Sequence, residues 1–175
     1  MKVAGAAAEA GKSLDECLAV AERMERNMAT LAVAMTAATH PSTGQAIFTL
    51  AEDEMEIGLG QHGEAGTGPM KIKTADETAE AMLDRLLADL GIKAGEEILV
   101  LLNGAGATTL MELFIVFRRI AQVCEGRKIK VVRSAIDEFL TVQEMAGFQM
   151  FVARMDKELI AFWDAPCDTP YMVVR

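Results

Sequence analysis

Residues 96–126 form the part of the sequence that most constrains the fold. They read EEILVLLN, then GAGAT, then TLMELFIVFRRIAQVCEG. The first run is almost continuously apolar, which is typical of a strand buried on both faces. The last run has apolar residues at helical spacing and ends at Gly126, which predicts a helix. A buried strand joined to a helix by a short glycine loop predicts a layered α/β fold.

Strands and helices are predicted to alternate along the rest of the chain. Two helices flank Gly11, and a longer amphipathic helix stops at Gly91. The apolar segments 30–39 and 46–50 lie on either side of the turn PSTG and predict an early hairpin. The expected fold class is therefore α/β, a layered mixed sheet flanked by helices, with residues 1–175 as a single domain.

The composition argues against several classes of partner and site. The formal net charge is −9, whereas nucleic-acid and anionic-membrane surfaces require clustered Lys and Arg. No apolar run approaches the roughly 18 residues of a membrane span, and no signal peptide is recognisable, so we expect a cytoplasmic protein. The three cysteines, Cys17, Cys124 and Cys167, fit neither a disulfide framework nor a CxxC metal site. We expect them to be reduced and to have packing roles.

A glycine-flanked histidine is the main candidate for chemistry. The stretch EIGLGQHGEAG, residues 56–66, places His62 between two pairs of glycines. A metal site is disfavoured, because the other histidine, His40, lies in a proline-containing turn and no further ligands have a recognisable spacing. His62 could instead transfer a proton to a small ligand or attack an electrophile such as a ketone carbon. A structural or merely solvated histidine is the alternative.

The glycine loop of residues 103–108, NGAGAT, is a second candidate site. Backbone N–H groups in such a loop, at the start of a helix, can bind an anion or a hydroxyl-rich ligand. Gly104, Gly106 and Thr108 are therefore possible ligand contacts. The loop lacks the Lys-Ser/Thr ending of a phosphate loop and is not GxGxxG. The alternative is that its glycines serve only a tight strand-to-helix turn.

Five colinear motifs together resemble one known family. They read GAAAEAGKSLD, EMEIGLGQHGEAG, NGAGATTLMEL, QEMAGFQ and WDAP. In this order and spacing they are similar to the C-terminal half of the substrate-binding subunit of dihydroxyacetone (glycerone) kinases, the DhaK family. The resemblance implies that His62 binds the ketone carbon of a short ketose covalently, as a hemiaminal. It also implies that Gly60, Gln61 and Gly63 line the substrate site.

The resemblance implies partners as well as a site. No cofactor is expected on this chain, since Mg-ATP or ADP would be bound by a DhaL-like nucleotide-binding subunit or domain. The family's N-terminal half, which contains GGGSGHEP, would be supplied by a complementary chain or segment. The chain would thus be a partial kinase, inactive alone and part of a homo- or hetero-oligomer. A non-catalytic regulatory or scaffold subunit is the alternative.

Two departures from the family pattern concern the choice of ketose. Gln61 replaces an apolar residue beside the histidine, and Ala105 replaces a leucine after the first glycine of the second loop. A polar residue and a smaller one are expected to admit a larger or more hydroxylated ketose, such as erythrulose, in place of dihydroxyacetone. Thr109 replaces a proline, but with Glu112 it restores a capping box, so this change is locally coherent.

Overall fold

A six-stranded sheet with helices on both faces organises the chain. The computed structural model describes residues 1–60, 66–169 and 172–175. The strands of the sheet are β1 (Met28–Ala34), β2 (Glu54–Ile57), β3 (Pro69–Lys71), β4 (Glu97–Gly104), β5 (Lys130–Asp137) and β6 (Gly147–Arg154). The helices are α1 (Lys2–Glu9), α2 (Leu14–Arg26), α3 (Ala75–Leu90), α4 (Leu110–Gly126) and α5 (Lys157–Asp164). A short ribbon near the C-terminus joins β7 (Cys167–Asp168) to β8 (Val173–Val174).

The sheet is mixed, as the sequence predicts. Its strand order is β3-β2-β1-β6-β4-β5. Strands β4 and β5 run parallel and are connected through α4, whereas the other neighbouring strands are antiparallel. The strand–loop–helix unit at residues 96–126 is confirmed as β4, a glycine loop and α4.

One face of the sheet is covered by α3 and α4. Alternate residues of each central strand point to this face, including Val33 of β1, Val100 of β4 and Met150 of β6. They pack against Leu83 and Ile120 from the two helices, and all five side chains are almost fully buried. The apolar sequence of β4 follows from this packing together with that of Leu99, which is buried on the opposite face.

The opposite face is covered by α1, α2 and α5 at one end only. Leu99 and Ala153 lie under these helices and are buried. Further along the same face, Ala32, Gln149 and Phe151 are only half-buried. Part of this face of the sheet is therefore open within the described residues.

Three helices begin at capping boxes. In α2, α3 and α4 the N-cap hydroxyl accepts a hydrogen bond from the backbone of a Glu three residues on, and that Glu carboxylate accepts from the N-cap backbone. The pairs are Ser13 with Glu16, Thr74 with Glu77 and Thr109 with Glu112. The hydrogen bond from the N-cap backbone lowers the pKa of each glutamate below its usual value. The capping box that the sequence predicts for Thr109 and Glu112 is confirmed.

The predicted early hairpin is wrong. Residues 46–50 form no strand of the sheet, and the expected pairing is reduced to a single bridge between Thr39 and Ala46. Ile47 and Phe48 instead pack, half-buried, against the apolar cluster beside Ala38. Strand β1 pairs with β2 and β6. The apolar residues of 46–50 thus serve a packed loop, which local sequence patterns do not distinguish from a strand.

Within the described segments, no helix is both long enough and apolar enough to cross a bilayer.

The cysteines are free thiols in different surroundings. Cys124 is buried in α4, whereas Cys17 and Cys167 are partly exposed. Burial raises the pKa of the Cys124 thiol to about 11. The expected packing role is confirmed for Cys124, which belongs to the main apolar core.

We predict that Cys124 resists alkylation in the native protein. At pH 8 a thiol with a pKa of about 11 is ionised to about one part in a thousand, and only the thiolate reacts. Iodoacetamide followed by peptide mass mapping should modify Cys17 and Cys167 first, and Cys124 only after unfolding in denaturant. Equal labelling rates at all three cysteines would contradict the buried position of Cys124.

Candidate functional site

The base of the histidine-bearing glycine loop is held together by its own backbone. The chain leaves β2 through Gly58, which has a φ of +92° and whose N–H donates to the carbonyl of Ala32 at 2.7 Å. On the returning side, Thr67 donates to the carbonyl of Ile57 from its N–H at 3.1 Å and from its hydroxyl at 2.9 Å. The two ends of the loop are thus fixed against each other and against β1.

Gly66 allows the two ends to cross. A Cβ at this position would lie 2.7 Å from the carbonyl oxygen of Ile57 and 2.8 Å from the nitrogen of Leu59. Real Cβ atoms do not approach main-chain atoms so closely, so another residue would force the crossing apart. Gly58 requires a left-handed conformation that other residues rarely adopt. These two glycines have a structural reason that involves no ligand.

A buried carboxylate also binds the returning end. Glu56 of β2 is 8% exposed, and its Oε1 accepts hydrogen bonds from the N–H of Gly66 at 2.8 Å and of Gly68 at 3.2 Å. No spacing pattern predicts this contact. The signal available in the sequence is an acidic residue between two apolar ones, Met55 and Ile57. The structure shows that both apolar side chains are fully buried.

The predicted substrate residues of this loop fall mostly outside the described residues. His62, Gln61 and Gly63 belong to the segment 61–65, which the structure does not describe. Gly60, half-buried, is the last described residue before that segment. The roles given to these residues therefore remain predictions.

The second glycine loop packs tightly on the segment 138–147. The side chain of Asn103, at the end of β4, is buried and bonds the backbone of Leu140 in both directions, with its Nδ2 donating to the carbonyl at 2.7 Å and its Oδ1 accepting from the N–H at 2.8 Å. Gly104 lies where a Cβ would come within 2.9 Å of the Glu138 side chain, and at Gly106, with a φ of +135°, a Cβ would overlap the carbonyl oxygen of Gln143. Both glycines are explained by close packing.

The backbone of this loop is largely engaged within the protein. The N–H groups of Ala105 and Ala107 donate to the carbonyls of Gly147 at 3.0 Å and Met145 at 3.1 Å. Thr108 is buried, and its hydroxyl accepts from the N–H of Gly147 at 2.9 Å. At the start of α4 the Glu112 carboxylate already accepts from the N–H of Thr109. These contacts favour the tight-turn interpretation, and ligand contacts by Gly104, Gly106 and Thr108 stay a prediction.

The structure nevertheless brings the two glycine loops together. Leu59 from the first loop and Ala105 from the second belong to one buried apolar cluster with Ala34, Ala38 and Met145. This cluster lies at the end of β1, on the side of the sheet that the helices leave partly open. Gly60 therefore follows Leu59, which packs against Ala105 of the second loop. No spacing in the sequence predicts this contact between the loops.

Metal ligands do not cluster in the described parts of the chain. Among those residues, no group of three His, Cys, Asp or Glu side chains is arranged to hold a metal ion. The WDAP motif provides an ion pair instead, since the Asp164 carboxylate accepts two hydrogen bonds from Arg133 of β5, one of them at 2.6 Å. This pairing lowers the pKa of Asp164.

Comparison with known proteins identifies the family. The Dak1 domain model matches residues 1–171. The chain belongs to the Dak1 domain family. The resemblance to dihydroxyacetone kinase subunits, which the five motifs predicted, is confirmed.

The relatives of this Dak1 domain include subunits and larger kinases. It is 35% identical over 173 residues to the dihydroxyacetone-binding subunit DhaK of PTS-dependent dihydroxyacetone kinase 2 from Listeria innocua, covering 99% of this chain and 52% of that protein. It is 40% identical over 173 residues to an L-erythrulose kinase from Pectobacterium atrosepticum, covering 97% of this chain and 29% of that protein. The chain thus spans about half the length, or less, of these curated relatives.

A solved structure of a differently named protein is also similar. The dihydroxyacetone kinase operon co-activator DhaQ superposes with a TM-score of 0.88 at 28% identity, covering 94% of this chain and 51% of that one. The Dak1 fold therefore occurs in proteins named as kinase subunits and in one named as a co-activator.

We predict that Gly106→Ala destabilises the Dak1 domain by about 2 kcal/mol or more, because the new Cβ would overlap the Gln143 carbonyl and the backbone would remain left-handed. Gly5→Ala is the matched control, since Gly5 lies in α1 with open space around its Cβ position. It should stabilise by about 0.5–1 kcal/mol. Urea unfolding of the three proteins measures both effects, and equal stabilities would argue against the tight packing of this loop.

Proposed function

We propose that this Dak1 domain is the ketose-binding part of a dihydroxyacetone-type kinase, in which His62 binds the ketone carbon of the substrate. The observation that carries the proposal is the match to the Dak1 family over residues 1–171, with relatives named as dihydroxyacetone-binding subunits and erythrulose kinases. The histidine lies in the motif on which the family resemblance rests.

The proposed chemistry is reversible covalent capture. A ring nitrogen of neutral His62 donates its electron pair to the ketone carbon while the carbonyl electrons move to oxygen. The oxygen takes up a proton and the imidazole releases one, so the hemiaminal is formed without an oxidant, reductant or leaving group. Capture fixes a three- or four-carbon substrate that offers few other contacts, and it orients the terminal hydroxyl before phosphoryl transfer. Glycerol has no ketone and would be excluded.

The described geometry supports this assignment. The two described ends of the loop are held by contacts of Gly58, Gly66 and Glu56, which form a fixed base. The second glycine loop lies beside it through the contact cluster that contains Leu59 and Ala105. Rigid supports are the usual means by which proteins position reactive side chains on loops.

Phosphoryl transfer would require parts beyond this chain. We infer that Mg-ATP, ADP or another phosphoryl donor is carried by a separate nucleotide- or phosphoryl-carrying subunit, and that a complementary N-terminal half completes the ketose site. The half-buried sheet residues Ala32 and Phe151 support such a partner. So does an apolar patch on the first turns of α4, where Met111 is 70% and Phe114 54% exposed.

Erythrulose and dihydroxyacetone are the candidate substrates. The 40% identity to an L-erythrulose kinase supports the four-carbon ketose. Ala105 of the second loop is 3% exposed and packs in one cluster with Leu59 of the first loop. It would therefore affect substrate choice through the packing of the loops and not by direct contact. A leucine here would separate the loops or change their spacing.

A regulatory role is the second candidate function. The TM-score of 0.88 with the operon co-activator DhaQ favours it, since a Dak1 fold without turnover could bind a ketose and signal its presence. In that role the chain would still bind ketose but would not support phosphorylation with any donor.

We predict that His62→Ala abolishes ketose capture. In an NMR titration with dihydroxyacetone labelled with ¹³C at the ketone carbon, the native protein should move that resonance from the carbonyl to the tetrahedral range. His40→Ala is the control, because His40 lies in an exposed turn and its Nδ1 is 3.0 Å from the Ser42 hydroxyl. An undiminished adduct in His62→Ala would contradict the proposed anchor, and a large loss of thermal stability would favour a structural histidine.

We also predict that the 175-residue chain, mixed with ATP, Mg²⁺ and dihydroxyacetone or erythrulose, forms no ketose phosphate. Adding a complementary half and a nucleotide-binding subunit should create activity, since the transfer depends on groups distributed among those parts. Coupled release of ADP provides the measurement. Turnover by the chain alone would contradict a partial enzyme, whereas adduct formation without turnover in the full mixture would favour the regulatory role.

A further inference from the structure

A cavity interrupts the main core where the first turns of α3 and α4 meet the sheet. Its volume is about 150 Å³. Its walls include Val33 of β1, Met55 of β2, Val116 of α4 and Phe148 of β6, all of them buried. Protein interiors contain few voids larger than a water molecule, so a cavity of this size in the core is unusual.

The walls offer little that would hold water. The Thr78 hydroxyl donates to the sulfur of Met55 at 4.0 Å, and the Thr108 hydroxyl accepts from the N–H of Gly147 at 2.9 Å. Both hydroxyls are therefore already used within the protein. Dry apolar cavities of about this size bind small hydrocarbons. The lining thus favours an apolar occupant.

The cavity opens onto apolar surface. Ile115 lines it and is 41% exposed. Met111, one turn earlier on the same side of α4, is 70% exposed. A molecule longer than the cavity could continue over these two side chains and keep its apolar part out of water. A hydrocarbon chain has this shape.

The charges at the opening favour one kind of head group. Of the described residues that line the cavity, Lys73 and Glu112 are charged, and both are exposed. The Glu112 carboxylate accepts hydrogen bonds from the N–H and the hydroxyl of Thr109, each at 2.8 Å, so it serves the start of α4. The Lys73 ammonium is the group that can attract an anion at the opening.

We propose that this cavity binds the end of an unbranched hydrocarbon chain with an anionic head group, and that the head lies beside Lys73. Met35 and Met55 line the cavity, and their flexible side chains can adapt to a chain. Val33 faces this cavity, whereas its neighbour Ala34 faces the cluster that joins the two glycine loops. The site therefore lies on the opposite face of the sheet from those loops and does not depend on the proposed ketose chemistry.

The test is a titration of the 175-residue chain with hexanoate, octanoate and decanoate, observed through the ¹³C-labelled methyl groups of its methionines. Met35 and Met55 report on the cavity. Met155 belongs to the separate cluster under α1, α2 and α5 and is the internal reference. We expect shifts at Met35 and Met55 but not at Met155. The affinity should rise about fourfold for each added methylene until the cavity is filled.

Two variants and a control test the location of the site. Ala75→Leu places a larger side chain in the cavity and should weaken octanoate binding by about tenfold or more. Lys73→Met removes the charge and should weaken octanoate binding but not that of 1-octanol. Ala88→Leu is the matched control, because Ala88 is exposed near the other end of α3, and it should bind as the native protein does.

Three results would overturn the proposal. The first is an affinity that does not depend on chain length, and the second is native affinity in Ala75→Leu. The third is a set of shifts confined to Met111, which would mean adsorption on the surface of α4 without entry into the cavity. Equal effects of Lys73→Met on octanoate and 1-octanol would refute the anionic head group.

Discussion

Close contact between backbone segments at three glycines is the constraint on which both candidate loops depend. A Cβ at Gly66 would crowd Ile57, one at Gly106 would overlap Gln143, and one at Gly147 would overlap the carbonyl oxygen of Val33. These crossings draw the glycine loops and the 138–147 segment onto the ends of β1, β4 and β6. These contacts require glycine strictly. Any other residue, small or flexible, carries a Cβ atom that would overlap the backbone.

A frame made of backbone contacts leaves few side chains to set specificity. In the proposed function, the ketose is recognised chiefly by one covalent bond. Relatives named for dihydroxyacetone and for erythrulose are 35% and 40% identical to this chain. Ala105 is buried in the apolar cluster that joins the two loops, so a change there would alter their packing. One fold is thus compatible with several short ketoses and with a regulatory role.

The sequence predicts those elements whose signals are local. The β4–loop–α4 unit and the capping box of Thr109 with Glu112 follow from short-range patterns, and they are correct. The apolar pattern of residues 46–50 predicts a strand, but this prediction is wrong. Ile47 and Phe48 pack instead against a cluster from distant parts of the chain. Strand β3 has three residues and begins at Pro69, so it carries almost no pattern. The Glu56 carboxylate accepts hydrogen bonds from amides ten and twelve residues away. Helix and strand periodicities do not predict contacts at this separation. The role proposed for His62 rests on the family motifs, because no residue spacing points to a ketone.

The order of strands in the sheet has a consequence for how the chain is made. Strand β1 has β6 as a neighbour, and Met28 of one pairs with Ala153 of the other. The middle of the sheet therefore cannot close until β6, more than a hundred residues after β1, has left the ribosome. Until then β1 presents unpaired N–H and C=O groups, and such edges are prone to join other chains. Strand β1 is thus a segment that chaperones are expected to protect during synthesis.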